Sequence, residues 1–181
     1  MDLELPEELK LLQTSVRRFV DETLWPHEKE IEEKDAIPRS LVTAMGEAGL
    51  FGIGHDEKWG GQGLDYSYQA IFLEEIALCD NAGVCMGISV QTDMATPALH
   101  RFGSDELKKR YLVPAIRGEH VAAIAVTEPS AGSDVSGIRT RAVRDGDHWV
   151  INGSKMYITN AATAEWICLL AVTDPDAGYG G

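Results

Sequence analysis

Residues 127–134 place polar groups directly after an apolar run. V-A-A-I-A-V at 121–126 is short, apolar and partly β-branched, as a strand would be, and T-E-P-S-A-G-S-D follows it. A turn containing Pro129, Gly132 and Ser133 can aim backbone N–H groups outward, and such a nest with a serine hydroxyl can hold a phosphate oxygen. Taken alone, however, the stretch is more simply explained as an ordinary surface turn.

A second candidate stretch is K-M-Y-I-T-N at 155–160, which follows the pair Asn152–Gly153. Asn-Gly between apolar runs predicts a hairpin turn, so residues 156–159 are expected to form a strand that has Tyr157 and Thr159 on one face. An aromatic ring with a hydroxyl two residues further on can lie on a flat heterocycle and hydrogen-bond its edge. The alternative is a hairpin strand with a surface tyrosine.

Several common catalytic patterns do not occur. No G-x-G-x-x-G follows a strand and no G-x-x-x-x-G-K-[ST] is present, so we interpret the glycine-rich stretch 52–64 as a connector. Ser133 stands in A-G-S-D rather than in the G-x-S-x-G of a serine hydrolase. The histidines are far apart and lack ligand spacing, so solvated or capping roles are expected rather than a metal site. They are His27, His55, His100, His120 and His148.

Composition narrows the choice of partners. The 181 residues carry a formal net charge of −13, so binding to nucleic acid or to an anionic membrane is disfavoured. Cys79, Cys85 and Cys168 show no C-x-x-C spacing, which gives no support for a disulfide framework or a zinc site. The acidic N-terminus is unlike a signal peptide, and no apolar run approaches the ~20 residues that span a bilayer. These features predict a cytoplasmic protein.

The elements that position the two candidate stretches divide into a helical part and a β part. Apolar spacing, caps and breakers predict helices near 6–26, 38–48, 65–78, 83–102 and 104–118. Strands are expected at 121–126, 139–144, 148–151, 156–159 and 166–172. We therefore predict an all-α domain at 1–118 and a β domain at 119–181. The β domain has few strands and ends in the loop D-P-D-A-G-Y-G-G, which indicates a fragment.

Taken together, the motifs resemble the acyl-CoA dehydrogenase family. The resemblance runs from about residue 5 to residue 181 and is carried most specifically by A-V-T-E-P-S-A-G-S-D-V-S-G-I-R-T-R-A and D-G-D-H-W-V-I-N-G-S-K-M-Y-I-T-N-A. G-H-D-E-K-W-G-G-Q-G-L-D and R-F-G-S-D-E-L-K-K-R-Y-L-V-P-A-I-R-G-E agree with it. It implies an α+β fold in which an all-α N-terminal domain precedes an incomplete antiparallel β-barrel-like middle domain. The helical third domain of the family is absent from this sequence.

The resemblance also implies roles for matching positions. Ile124, Ala125, Val126 and Thr127 would pass along the flavin of FAD. Gly132 and Ser133 would meet its diphosphate, and Ser133 would approach the pantetheine arm of the substrate acyl-CoA. Tyr157, Ile158 and Thr159 would pack against the flavin, with the Thr159 hydroxyl near N5. Many members carry tryptophan at Tyr157, and several carry an aromatic residue at Ile124.

The implied reaction is α,β-dehydrogenation of an acyl-CoA thioester, with electrons passing on to an acceptor such as an electron-transfer flavoprotein. The family base is a glutamate of the C-terminal domain, so no residue here is assigned a catalytic role, and Glu128 is expected to fix its turn. Met86, Val90 and Met94 are candidates for the acyl pocket, with core packing as the alternative. The full-length family protein is usually a homotetramer.

Two alternatives stay open at this stage. The chain can be a non-catalytic module for binding FAD and acyl-CoA or for assembly, or it can be an oxidase or monooxygenase relative with the same fold. In each case we predict that the 181-residue chain alone has little or no dehydrogenase activity, because the base is expected elsewhere.

Overall fold

The computed structural model of the chain describes residues 4–178, and its first two thirds are helical. The α-helices are α1 (Glu7–Phe19), α2 (Glu28–Lys34), α3 (Arg39–Glu47), α4 (Tyr66–Ile76), α5 (Ala82–Ser89), α6 (Thr96–Phe102), α7 (Asp105–Leu107) and α8 (Val113–Ile116). Wider π-helical turns at Val90–Ala95 and Lys108–Leu112 join consecutive α-helices directly. The π-helical turn at Val20–Leu24 leads from α1 to α2 through a 3₁₀ turn at Trp25–His27. The result is five helical runs within residues 4–178. Four lie close to the predicted ranges, whereas the first continues past the predicted end near residue 26 into α2, which the sequence did not predict.

Local sequence signals explain where these runs begin and end. Asp65 and Asn81 accept hydrogen bonds from the backbone of the first turns of α4 and α5, and Ser104 caps α7 as predicted. Gly49, predicted to stop the second run, has φ of +75°. The π-helical turn before α6 ends next to Pro97, which lacks the N–H that a regular turn requires.

The β part consists of two small two-stranded sheets. The strands are β1 (Ala122–Ala125), β2 (Arg141–Asp145), β3 (His148–Asn152) and β4 (Trp166–Leu169). β2 and β3 form an antiparallel hairpin in which Asp145 pairs with His148, and Gly146 in its loop has φ of +58°. The Asp-Gly signal for this hairpin is therefore confirmed.

The predicted fold class, a helical domain followed by a small sheet domain, is confirmed, but three details of the β part differ. β1 pairs with β4 in parallel rather than antiparallel fashion, so the sheets of residues 4–178 do not form the antiparallel barrel-like arrangement that was expected. The parallel pair arises because the turn at 160–164 returns the chain to the start of β1, where Glu165 N–H donates to the Val121 carbonyl at 2.9 Å.

The other two differences concern the segment after β3. Residues 156–159 do not form a strand, and Asn152–Gly153 is not a hairpin turn. Gly153 instead allows close passage over Thr140, because a Cβ on Gly153 would lie 2.2 Å from the Thr140 Oγ1 atom.

One hydrophobic core joins the two parts of the chain. It contains fully buried side chains such as Met45, Phe72 and Ile76 from the helices, and it extends to Val121 and Ala164. The core therefore fixes the start of β1 and the turn before β4 against the helices.

Among residues 4–178, no helix combines the length and apolar composition needed to cross a membrane. The last three residues of the predicted terminal loop, 179–181, lie outside the described residues.

Candidate functional site

The polar stretch after β1 forms a closed turn on a buried glutamate. Glu128 N–H donates to the Ala131 carbonyl at 2.8 Å, and Ala131 N–H donates back to the Glu128 carbonyl at 3.2 Å. Gly132 and Ser133 lie on the exposed side of this turn, and a Cβ added to Gly132 would meet no atom within 4 Å. The turn thus leaves the Gly132 backbone and the Ser133 hydroxyl accessible from open space. A site for an anionic group needs backbone N–H and hydroxyl groups that are accessible in this way.

Glu128 itself is 5% exposed and serves the turn, as predicted from the sequence. Its carboxylate accepts the N–H groups of Arg139 at 2.6 Å and Thr140 at 2.9 Å, and the ammonium group of Lys155 at 2.9 Å. Burial acts to raise the pKa of Glu128, but the contacts with Thr140, Lys155 and the backbone N–H groups outweigh it and lower the pKa to about 2. A carboxylate held in this way is a poor proton acceptor.

The second candidate stretch is an irregular segment with two unusual backbone conformations. Tyr157 has φ of +58° and Asn160 has φ of +67°, which non-glycine residues adopt infrequently. The prediction that Tyr157 and Thr159 share one face of a strand is therefore wrong, because residues 156–159 do not form a strand. The Tyr157 side chain is 85% exposed, and Thr159 is half-buried. Strained backbone at such a position is typical of functional segments.

Both ends of this segment are fixed by hydrogen bonds. Met156 N–H donates to the Thr127 carbonyl at 3.0 Å. At the other end, Asn160 Nδ2 donates to the carbonyl groups of Gly87 at 2.9 Å and Ala122 at 3.2 Å. The left-handed conformation of Asn160 is therefore supported by its own side chain, which contacts both α5 and β1.

The structure thus brings together most of the residues predicted to bind a cofactor. Thr127 is hydrogen-bonded through its carbonyl to the residue before Tyr157, and the Val126 carbonyl accepts a hydrogen bond from Lys155 at 2.8 Å. Exposure differs among them. Ile124, Val126, Thr127, Ile158 and Thr159 are half-buried, Ala125 is buried, and Gly132, Ser133 and Tyr157 are exposed.

A cavity of about 680 Å³ lies between the helices and the segment 158–163. Its apolar wall includes Val42, Met45, Phe51 and Ile88, and polar groups of Glu32, Arg39 and Gln91 also line it. Of the predicted site residues, only Ile158 and Thr159 line this cavity. Its size is typical of small-molecule sites. Its lining is mixed, because the charged side chains of Glu32, Asp35 and Arg39 stand beside the apolar ones.

No sequence pattern predicted this cavity, although one signal for it was present. Gly83 and Gly87 are four residues apart on α5 and leave its face without side chains. A Cβ on Gly87 would lie 3.1 Å from Asn160 Oδ1 and from Ile37 Cδ1. The predicted trio Met86, Val90 and Met94 does not line this cavity. Val90 is buried, and both methionines are exposed.

The expectation of separate, solvated histidines is wrong for one pair. His55 is 4% exposed, its Nε2 lies 3.0 Å from Thr96 Oγ1, and its ring is 5.0 Å from that of His100. His100 Nε2 in turn lies 3.1 Å from Asp56 Oδ2. Burial, and to a smaller extent the charge on His100, lowers the pKa of His55 to about 4. No group of three or more His, Cys, Asp or Glu side chains within residues 4–178 is arranged for a metal ion.

Comparison with known families gives two consecutive matches. Residues 6–119 match the family model described as acyl-CoA dehydrogenase, N-terminal domain. Residues 123–181 match the model described as acyl-CoA dehydrogenase, middle domain.

Individual relatives agree with these matches. Over 161 residues the chain is 38% identical to a short-chain specific acyl-CoA dehydrogenase of Clostridium acetobutylicum, a match that covers 88% of this chain and 42% of the relative. It is 40% identical over 150 residues to a long-chain specific mitochondrial enzyme of Sus scrofa, covering 83% of this chain and 34% of that enzyme. The chain therefore spans less than half the length of these relatives.

Solved structures show the same fold. A glutaryl-CoA dehydrogenase from Mycobacterium smegmatis, solved in complex with FADH2, superimposes with a TM-score of 0.88 at 32% identity. The superposition covers 94% of this chain and 44% of that chain. A protein solved with a reduced flavin thus shares the arrangement of helices and strands described above.

Proposed function

The chain belongs to the acyl-CoA dehydrogenase family, and from this premise we propose that it supplies the flavin-binding wall of an enzyme that dehydrogenates acyl-CoA thioesters. Such a reaction removes a proton from Cα and a hydride from Cβ, and FAD, when bound, supplies the hydride acceptor. The observation that carries the proposal is the hydrogen bond from Met156 N–H to the Thr127 carbonyl. It joins the two stretches that the sequence assigns to one flavin.

The residues present fit an FAD molecule. Gly132 has open space where a side chain would stand, so a diphosphate can approach its backbone and the Ser133 hydroxyl. The exposed Tyr157 ring offers a flat apolar face, and Thr127 and Thr159 offer polar groups on the two joined segments. Ile124, Ala125, Val126 and Ile158 would complete the wall, and Ser133 would also approach the pantetheine arm of the substrate.

None of these residues is proposed as the catalytic base. Glu128 is excluded by its burial, by its three donors and by its lowered pKa. We propose that the base belongs to a part of the protein outside this sequence. In that arrangement residues 1–118 and 119–181 form two domains of a larger, oligomeric enzyme. An electron-transfer flavoprotein is proposed as its electron acceptor.

The cavity is the best candidate for the acyl portion of the substrate. Thr159, a proposed flavin contact, lines it together with apolar side chains such as Val42, Met45 and Phe51. An acyl chain that enters the cavity would therefore start close to the proposed position of the flavin. The matched relatives include short-chain and long-chain specific enzymes, so the proposed substrate class is acyl-CoA without a chain length.

The test is a visible absorption spectrum of the purified protein after incubation with FAD and desalting, compared with that of Gly132→Ala. We expect flavin bands to be retained by the wild type and weakened in the variant, because the added Cβ occupies the space assigned to the diphosphate. The variant should unfold at the wild-type temperature, since this Cβ meets no protein atom. Equal flavin retention by both proteins would contradict the assignment of Gly132, and no retention by the wild type would contradict FAD binding by this chain.

Addition of an acyl-CoA without oxygen then separates binding from turnover. We expect the flavin bands of the 181-residue chain to stay unbleached, because the proposed base lies outside it. Bleaching at typical enzyme rates would show that the chain contains its own base.

A further inference from the structure

A buried ion pair lies where the two proposed flavin-binding segments meet. The side chains of Lys155 and Glu128 are 10% and 4% exposed, and Lys155 Nζ lies 2.9 Å from Glu128 Oε1. Transfer of two charges from water into a protein interior is costly, and hydrophobic residues of similar size often give equal or greater stability. The position of the pair therefore suggests a role other than stability alone.

Lys155 makes a second contact that extends the role of the pair. Its ammonium group also donates to the Val126 carbonyl at 2.8 Å. The next residue, Met156, donates its N–H to the Thr127 carbonyl at 3.0 Å. Residues 126–128, which lead from β1 into the turn, are thus bonded to Lys155 and Met156 of the other segment. Together these bonds fix how far one segment can slide along the other.

Glu128 does not depend on Lys155 for its own position. Its carboxylate also accepts the backbone N–H groups of Arg139 and Thr140, so it stays attached to the chain that leads into β2. Lys155, by contrast, contacts residues 126–128 through its ammonium group. Removal of this group would leave the Met156 N–H as the remaining bond shown between this end of the segment and residues 126–128, while the glutamate keeps its two backbone donors.

The segment beyond Lys155 needs external support because of its backbone conformation. Tyr157 has φ of +58°, a conformation that persists only where surrounding contacts impose it. Asn160 supplies those contacts at one end, on Gly87 and Ala122. Lys155 and the Met156 amide supply them at the other end.

We propose that Lys155 is a positioning residue that holds Tyr157–Thr159 in fixed register against Thr127, so that both segments face the same flavin. The inference depends on the proposed FAD site for its functional meaning. It requires that the loss of the ammonium group weakens flavin binding more than it weakens the fold.

The test compares Lys155→Met with Arg17→Met in the purified protein. Arg17 Nη2 lies 2.7 Å from Glu75 Oε2, and the Glu75 side chain is 5% exposed, so the control also removes a cation from a buried carboxylate. That second pair joins α1 to α4, and none of its residues belongs to the proposed flavin wall. Both variants are titrated with FAD by flavin fluorescence, and their backbone hydrogen exchange is measured without FAD.

We expect Lys155→Met to raise the Kd for FAD about 10- to 100-fold, the effect of one lost charge-assisted hydrogen bond. Without FAD, exchange of the Met156 amide should accelerate by a similar factor. Arg17→Met should leave both values within about twofold of the wild type, even at an equal loss of thermal stability. Lys155→Arg, which keeps the cation, should recover most of the FAD affinity.

The remaining outcomes separate the positioning role, the structural contact and the proposed function. Equal FAD affinity for Lys155→Met and wild type, or equal loss in Lys155→Met and Arg17→Met, would overturn the positioning role. If the wild type binds no FAD, the proposed function fails, and unchanged exchange at Met156 would overturn the structural part of the inference separately. If Lys155→Met does not fold, Glu128→Gln, which removes the opposite charge, takes its place with an expected 3- to 10-fold rise in Kd.

Discussion

His55 is the buried side chain whose protonation the fold most clearly opposes. It is enclosed between the glycine-rich loop and the start of α6, where Thr96 Oγ1 is its hydrogen-bond partner at 3.0 Å. His100 and Asp56 are the neighbouring titratable groups. A histidine with its usual pKa of 6.5 in the unfolded chain and a pKa of about 4 in the folded chain binds more protons when unfolded. Stability is therefore complete above pH 6.5 and decreases as the pH falls towards 4.

The first prediction follows from this difference. Between pH 7 and pH 4, His55 is expected to cost the wild type roughly 3 kcal/mol of unfolding free energy. His55→Gln retains an amide that can bond Thr96 but does not titrate, so its stability should change less over this range. Urea unfolding at a series of pH values measures both profiles.

A histidine on the protein surface provides the control for this experiment. His148 is exposed at the start of β3, so His148→Gln gives the matched substitution at a histidine outside the buried site. If His55→Gln lost as much stability as the wild type between pH 7 and pH 4, the pH dependence would have to come from other groups.

At the scale of elements, packing of the helices depends on backbone contacts at glycine. Gly46 on α3 lies against the end of the α8 run, and a Cβ at this position would be 2.2 Å from the carbonyl carbon and oxygen of Arg117. Gly118, which follows, has φ of +71° and lies against the Val42 carbonyl in the same way. The two glycines allow α3 to contact the chain that leads into β1.

The second prediction uses the same contact. Gly46→Ala should destabilise the protein by about 1–3 kcal/mol, since the clash with backbone exceeds the gain in helix propensity of up to about 1 kcal/mol. Thermal unfolding of Gly46→Ala and of Gly132→Ala gives the comparison, because the added Cβ at Gly132 meets no atom. A Gly46→Ala protein as stable as Gly132→Ala would mean that α3 and Arg117 are not in contact.

For the whole molecule, the helices and the small sheets share a core and a polar link. Val121 belongs to the main hydrophobic cluster, with Ala164 packed against it. Glu165 accepts hydrogen bonds from Val121 N–H and from Arg39 on α3. The two parts are therefore expected to unfold as one cooperative unit.

The third prediction tests this cooperativity. In urea, circular dichroism at 222 nm should report mainly the helices and tryptophan fluorescence should include Trp149 and Trp166 of the β part, and their midpoints should coincide. Arg39→Met should lower both midpoints together, with a loss of unfolding free energy of up to about 1 kcal/mol, because the partly exposed ion pair contributes little. Lys29→Met, at a well-exposed pair on α2, is the control with no expected change. Separate midpoints would show two independent domains.

The sequence alone determined the features that depend on local chemistry. The positions of the helices other than α2 follow from apolar spacing and from caps such as Asp65 and Ser104. The β2–β3 hairpin follows from Asp145–Gly146. The expectations that Glu128 fixes its turn and that the two motifs belong to one site came from the resemblance to a family rather than from residue types alone. These signals act over a few residues, or through a resemblance that covers the chain, so no knowledge of packing was required.

Only the tertiary structure decided how distant segments meet. Asn152–Gly153 has the local signal of a hairpin, yet packing of Gly153 on Thr140 and the contacts of Lys155 with the 126–128 turn override it. The parallel pairing of β1 with β4, the proximity of His55 to His100, and the cavity between α5 and residues 158–163 likewise join residues far apart in sequence. Such contacts are selected by burial and hydrogen-bond satisfaction in the complete fold, which local patterns do not encode.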